Sequence, residues 1–347
     1  MKLFTFALLT ILNVWMACAR PDYSEEINKS DGKFHYWVNY DSLTATVMYV
    51  EKAYENANTL TLNPTLKVQG KTFTVNQIGA AAFSNNNVKN LIIPSSIKSI
   101  NISPNAFFNS YIESIEFLCK EVTVSSEQSF DGCNKHVFFK GDGVQSLVDN
   151  YSKYLLKKWN LPVGYKGYNE NSDPKDNKRL HDLYTLAKNI KKHVSYQEGI
   201  AHGDTAATAL LLGVGNSEGI ARAFYTMSLD MGVPFIQTYV GFDGKYYRWN
   251  YVKVIKDEPY REWYNVDIVH YNFGGSSYNK SLFKSVASQK SILKKAYNLS
   301  SDAELDFMNW QIFENRYNYP GEWKYDSPFM NQLYGWLVRN RSCCFHE

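Results

Sequence analysis

Side chains able to do covalent or metal chemistry are sparse in this chain of 347 residues. There are five cysteines, Cys18, Cys119, Cys133, Cys343 and Cys344, and none of their spacings matches a zinc site. The seven histidines include no pair at ligand spacing, so no metal and no other cofactor is expected. In an oxidising compartment Cys119 and Cys133 could bridge, whereas the adjacent Cys343 and Cys344 are placed to join a second chain and give a disulfide-linked oligomer. A second chemistry is modification. The glycosylation pattern N-x-S/T occurs at Asn28, Asn101, Asn150, Asn279, Asn298 and Asn340, which suits surface loops of a protein passing through a secretory pathway.

The beginning of the chain agrees with that route. Met1 and Lys2 precede an apolar run from Leu3 to Met16, and Ala17-Cys18-Ala19 supplies a small-residue cleavage site, so residues 1–19 read as a signal peptide. The run is too short to span a bilayer comfortably and no second one follows. A secreted or extracellular-surface location without a transmembrane span is the expectation.

The stretch "GVGNSEGIARAFYTMSLDMGVPFIQTYVGFDGKYYRWNYVKVIKDEPYREWYNVDIVHYN" reads as turn, helix, strand, strand, strand. Gly232 ends the helix and Pro234 prevents its continuation. At the start of that helix Ser217 would serve as an N-cap, its oxygen satisfying an orphan N–H.

This stretch resembles the transglutaminase-like core of the papain-type superfamily, with the pattern "GVCxGYAxAFxxLxxxxGIPAxxVxG...HAWNxVxxxxxWYxVDxTW". Gly219, Ala221, Ala223, Phe224, Gly232, Pro234, Trp249, Asn250, Trp263, Tyr264 and Asp267 fall where that pattern has them. The resemblance implies a Cys nucleophile at a helix N-terminus, a His that takes and returns its proton, and an Asp that orients the His. Here Ser217 stands at the nucleophile position, Arg248 is read as occupying the base position, and Asp267 retains the family's residue. A helix dipole worth about 1 kcal/mol, under one pKa unit, cannot ionise a Ser hydroxyl near neutral pH. A guanidinium keeps its proton and offers no acceptor, so the hydroxyl would have no base.

The resemblance therefore implies a pseudoenzyme with no intact catalytic residues. Arg248 would pair with the Asp267 carboxylate, and Trp249 and Asn250 are the candidate binding residues. The partner would be a protein or a glycan. The alternative is an active transglutaminase-like or cysteine-protease-like acyl-transfer enzyme, with Ser217 served by an unconventional base such as His193, His202 or His270. A second alternative is a surface-coat component linked through Cys343 and Cys344.

Upstream the periodicity differs. Phe83, Phe107 and Phe130 are 24 and 23 residues apart (107 − 83, 130 − 107), and Ile92, Ile115 and Phe138 are 23 apart (115 − 92, 138 − 115). A constant period of that size marks a solenoid in which each turn lays one strand beside the last. The segments Ile78-Gly79, Ala82-Phe83 and Leu91-Ile92-Ile93-Pro94 are similar to the BspA-like leucine-rich repeat, and the resemblance implies cell-surface or secreted adhesion and recognition.

The fold class expected is therefore α+β: a short β-rich leucine-rich-repeat solenoid at 36–140, a capping helix and linker at 141–176, a papain/transglutaminase-like α+β core at 177–275, and an aromatic-rich helical extension at 276–347. A net charge of +3, without a basic cluster, argues against a nucleic-acid partner. Aromatic residues make up 16% of the chain and Tyr alone numbers 26, a composition suited to contact surfaces.

Overall fold

A computed structural model describes residues 29–168, 177–233, 238–242, 247–253 and 263–269. Asn28, Asn279, Asn298, Asn340, His270, Cys343, Cys344, the signal peptide and the extension at 276–347 lie outside the described residues. The fold divides into two compact units. One takes in the residues up to Lys158 with Ile200–His202 and Leu210–Gly213; the other comprises Trp159–Gly199, Gly203–Ala209 and the residues from Val214.

The first unit opens with β1 (Lys29–Ser30), β2 (Phe34–Asn39) and β3 (Thr44–Val50), which pair antiparallel in sequence. Then come β4 (Thr59–Thr61), β5 (Thr65–Val68), β6 (Lys71–Ile78), β7 (Asn90–Ile93), β8 (Ser99–Ile102), β9 (Ser114–Phe117), β10 (Glu121–Val124) and β11 (Phe138–Lys140). Two parallel ladders run down the repeat. One is β3-β6-β8-β10, inside a seven-stranded sheet, and the other is the four-stranded sheet β11-β9-β7-β4. The segment from Tyr36 to Val50 thus forms an antiparallel end piece rather than a repeat turn.

Each turn buries an apolar stripe that it could not bury alone, and the aromatic rings show how. Phe83, Phe107 and Phe130 stack with centroids 5.4 and 5.6 Å apart, while Phe34 and Phe139 close the column edge-on at 6.1 and 5.3 Å. All five rings are buried. The second period needs a correction of one residue. Ile115 pairs with Leu91 and with Phe139, an offset of 24 (115 − 91, 139 − 115), so Ile92 and Phe138 face outward. Side chains alternate along a strand, so a slip of one position exchanges core for surface.

The exposed edge of β10 is covered by α1 (Gly143–Lys158). The Val122 N–H donates to Ser146 Oγ at 3.0 Å, Asn150 Nδ2 donates to the Val122 carbonyl at 2.8 Å, and Tyr151 donates to the Glu127 carbonyl at 3.1 Å. Helix side chains thereby satisfy backbone groups that would otherwise template a further strand. The same bonds bear on glycosylation. The Asn150 amide nitrogen is held by β10, and Ser152 of the same motif is fully buried in α1, so a glycan there would displace the cap. Asn101 sits in β8, its Oδ1 accepting from Ser125 at 3.1 Å. Cys119 and Cys133 are buried free thiols and not a bridge. Burial pushes them up to about 11 and about 12, so neither is a reactive thiolate at neutral pH.

The second unit contains α2 (Lys178–His193), β12 (Ser195–Tyr196), α3 (Ala206–Leu212, shared with the first unit), β13 (Val214–Gly215), α4 (Ser217–Met231), and the antiparallel strands β14 (Thr238–Phe242), β15 (Arg248–Lys253) and β16 (Trp263–Val266). Helix α4 packs on α2 and on β15. Gly232 closes α4 in the left-handed region at φ 103°, where the Gly232 and Val233 N–H groups return to Leu229 and Ser228.

Ring stacking and register make separate demands on stability. Phe107→Ala should destabilise the first unit by about 3–5 kcal/mol in denaturant unfolding, and Phe139→Ala should cost clearly more than Phe138→Ala. Equal costs at 138 and 139 would contradict the register.

Candidate functional site

Ser217 is the first residue of α4 and not its cap. Asn216 has the extended backbone of a cap, and its Oδ1 accepts from the N–H groups of Glu218 at 3.0 Å and Gly219 at 3.1 Å. The helix start is pressed against neighbouring backbone: a Cβ on Gly219 would lie 2.1 Å from the Gly203 carbonyl oxygen. Only glycine allows that approach. Ser217 is 4% exposed, and its Oγ accepts from the Arg248 backbone N–H at 3.2 Å. This bond joins the helix start to the first residue of β15.

The pairing expected between Arg248 and Asp267 is replaced by another. Arg248 Nε lies 3.0 Å from Glu218 Oε2, and Arg222, one helical turn on, donates to Glu218 Oε1 at 2.5 Å. Burial works against the Glu218 charge, but Arg222 and then Arg248 outweigh it and hold the carboxyl below its usual range. Burial likewise lowers Arg222, with Glu218 opposing.

The residue that meets Asp267 is Tyr247. Its phenol donates to Asp267 Oδ1 at 2.5 Å, with the carboxylate only 7% exposed. The sequence contained the signal for this. In the pattern HAWN the His stands two residues before the Trp, and with Trp249 and Asn250 as anchors that position is Tyr247, not Arg248. Trp249 lies beside the Tyr247 ring at 6.1 Å and 25°.

Trp249 and Asn250, the expected binding pair, are each 1% exposed. They are packing residues: Asn250 Nδ2 donates to the Ala221 carbonyl at 3.0 Å and ties β15 to α4. Of the candidate rescue bases, His193 lies edge-on to Trp159 at 5.8 Å and His202 is stacked on Phe138 at 4.1 Å, while His270 lies outside the described residues. Lys191, which sequence reasoning passed over, donates to the Val269 carbonyl at 2.7 Å; burial lowers its pKa, with Asp267 opposing. Among the described residues no cluster of three or more His, Cys, Asp or Glu could hold a metal ion.

Comparison with known proteins bears on the first unit. Residues 55–156 match the BspA type leucine rich repeat region, in six copies. This segment is a BspA-type repeat region. Two solved structures are similar to part of the chain. One is a leucine rich cell surface protein from Faecalibacterium prausnitzii, 18% identical over 36% of this chain and 32% of that one, with a TM-score of 0.28. The other is a leucine-rich repeat protein from Bacteroides capillosus, 20% identical over 33% of this chain and 100% of that one, with a TM-score of 0.23. The chain thus spans about a third of the cell surface protein's length. No curated protein matches the chain. Among the described residues no helix is long and apolar enough to cross a membrane.

Two charge effects can be measured. Because the Glu218 carboxyl is held below its ordinary 4.5, its contribution to stability is present above that pH and is lost as pH falls through the lowered value. Glu218→Gln should weaken the second unit at neutral pH and flatten its stability profile below about pH 4.5; an unchanged acid profile would contradict the ion cluster. Tyr247→Phe should destabilise the unit by about 1–3 kcal/mol, because it removes a donor from a buried carboxylate.

Proposed function

We propose that the chain is a secreted or surface recognition protein in which a BspA-type repeat unit accompanies a transglutaminase-like unit that has lost its chemistry. The observation that carries the second half is the 2.5 Å hydrogen bond from Tyr247 to Asp267. In an acyl-transfer triad the carboxylate would hold an imidazole whose second nitrogen accepts the nucleophile's proton. A phenol has no second basic atom, and this one already directs its hydrogen at the carboxylate. Arg248 is no better, since its guanidinium cannot accept a proton and lies against Glu218. Burial of Ser217 points the same way, because a nucleophile needs a substrate carbonyl beside it.

The repeat unit supplies the recognition half of the reading. Stacked short strands make a broad face from side chains that alternate outward, and this is a surface for contact rather than a cleft for chemistry. A protein or glycan ligand at a cell surface or outside the cell is consistent with the repeat type.

Two assays test the two halves. The unmodified protein should show neither amine incorporation into glutamine substrates nor peptide cleavage, whereas Ser217→Cys with Tyr247→His should gain one of them. Activity in the unmodified protein that vanishes in Ser217→Ala would overturn the pseudoenzyme reading. On an array of extracellular proteins and glycans the purified chain should bind selectively, and failure to bind any member would overturn the recognition reading.

A further inference from the structure

The strand registers place Trp37, Thr46, Gln77, Asn101 and Thr123 side by side across five strands of the seven-stranded sheet, from β2 through β3, β6 and β8 to β10. Partners directly opposite one another point to the same face. Their chain neighbours Val38, Val47, Ile78, Ile102 and Val122 are buried in the core, so the row belongs to the opposite face, where Thr46 is itself only 7% exposed, Gln77, Asn101 and Thr123 are half-buried and Trp37 is exposed. A second row, Asn39, Thr44, Thr74 and Thr65, runs beside it. Every residue in both rows is uncharged, although 20% of the chain is charged.

The polar groups of this face are organised among themselves. Gln77 Nε2 donates to Ser103 Oγ at 2.8 Å, and Ser125 Oγ donates to Asn101 Oδ1 at 3.1 Å. These bonds fix the amide orientations and leave the Asn101 N–H donors for a ligand. At one end Trp37 is 38% exposed, an unusual setting for the largest apolar ring. Four inter-strand steps at about 4.8 Å give a strip about 19 Å long.

We propose that this outer face binds an uncharged oligosaccharide, with Trp37 stacking on one sugar ring and the amide and hydroxyl row hydrogen-bonding along the chain. The inference rests on the recognition reading and names the ligand class within it. A polyhydroxylated ligand without charge is what such a strip complements: it offers many weak donors and acceptors in a line, one ring with an apolar face, and no cation or anion. An acidic glycan or a nucleic acid would require Lys or Arg in the row. A protein partner would require a central cluster of large anchors, whereas the single large ring here stands at the end.

Calorimetry on the full chain tests this with soluble mannan, laminarin and xyloglucan oligosaccharides, using heparin as the acidic control. At least one neutral probe should bind, equally well at low and high salt, and heparin should not. Trp37→Ala should weaken that binding about tenfold, the size expected for loss of one ring contact, and Gln77→Ala with Asn101→Ala should weaken it further. Circular dichroism should be unchanged, since Trp37 lies on the surface. Absence of binding to every neutral probe, preference for heparin, or binding that survives both variants would overturn the inference. Selective capture of a protein on the array without any neutral sugar would defeat this inference while leaving the recognition reading in place.

Discussion

The phenol of Tyr247 gives its hydrogen to Asp267, and the reading of the second unit follows from that direction of donation. A carboxylate engaged in this way holds a group that can donate but not accept a proton near neutral pH. Ser217 stands at the head of α4 with its oxygen accepting from the Arg248 backbone N–H. The Arg248 guanidinium lies against Glu218, which Arg222 also engages, so the head of α4 carries an internal ion cluster.

A different constraint governs the first unit. A turn of two dozen residues has one apolar stripe and nothing of its own to bury it against, so every turn depends on the next. The column from Phe34 through Phe83, Phe107 and Phe130 to Phe139 is that dependence made visible. Both ends of the sheet are closed, by the antiparallel hairpin of β2 and β3 and by α1, whose Ser146 and Asn150 satisfy the backbone of β10.

How much of this could be read from residues alone depended on the kind of signal. Phe83, Phe107 and Phe130 were legible because a repeated large ring has one favourable place in a solenoid. Ile92 and Phe138 misled, because apolar residues sit at adjacent positions in these strands and only pairing distinguishes inward from outward. The helix start was legible, but the choice between Asn216 and Ser217 as its cap was not, since both side chains suit the role and backbone angles decide. Tyr247 is readable from the spacing to Trp249, since the His of the pattern stands two residues before its Trp. Burial of Trp249 and Asn250, and the use of Asn150 as a cap, arise from tertiary packing that no local pattern encodes.

Whether the Ser217 hydroxyl has a route for its proton can be read from intact-mass analysis of the unmodified protein after incubation with activated acyl esters, followed by peptide mapping. Ser217 should carry no acyl group, either at neutral or at mildly alkaline pH. An acyl adduct mapped to Ser217 would contradict it.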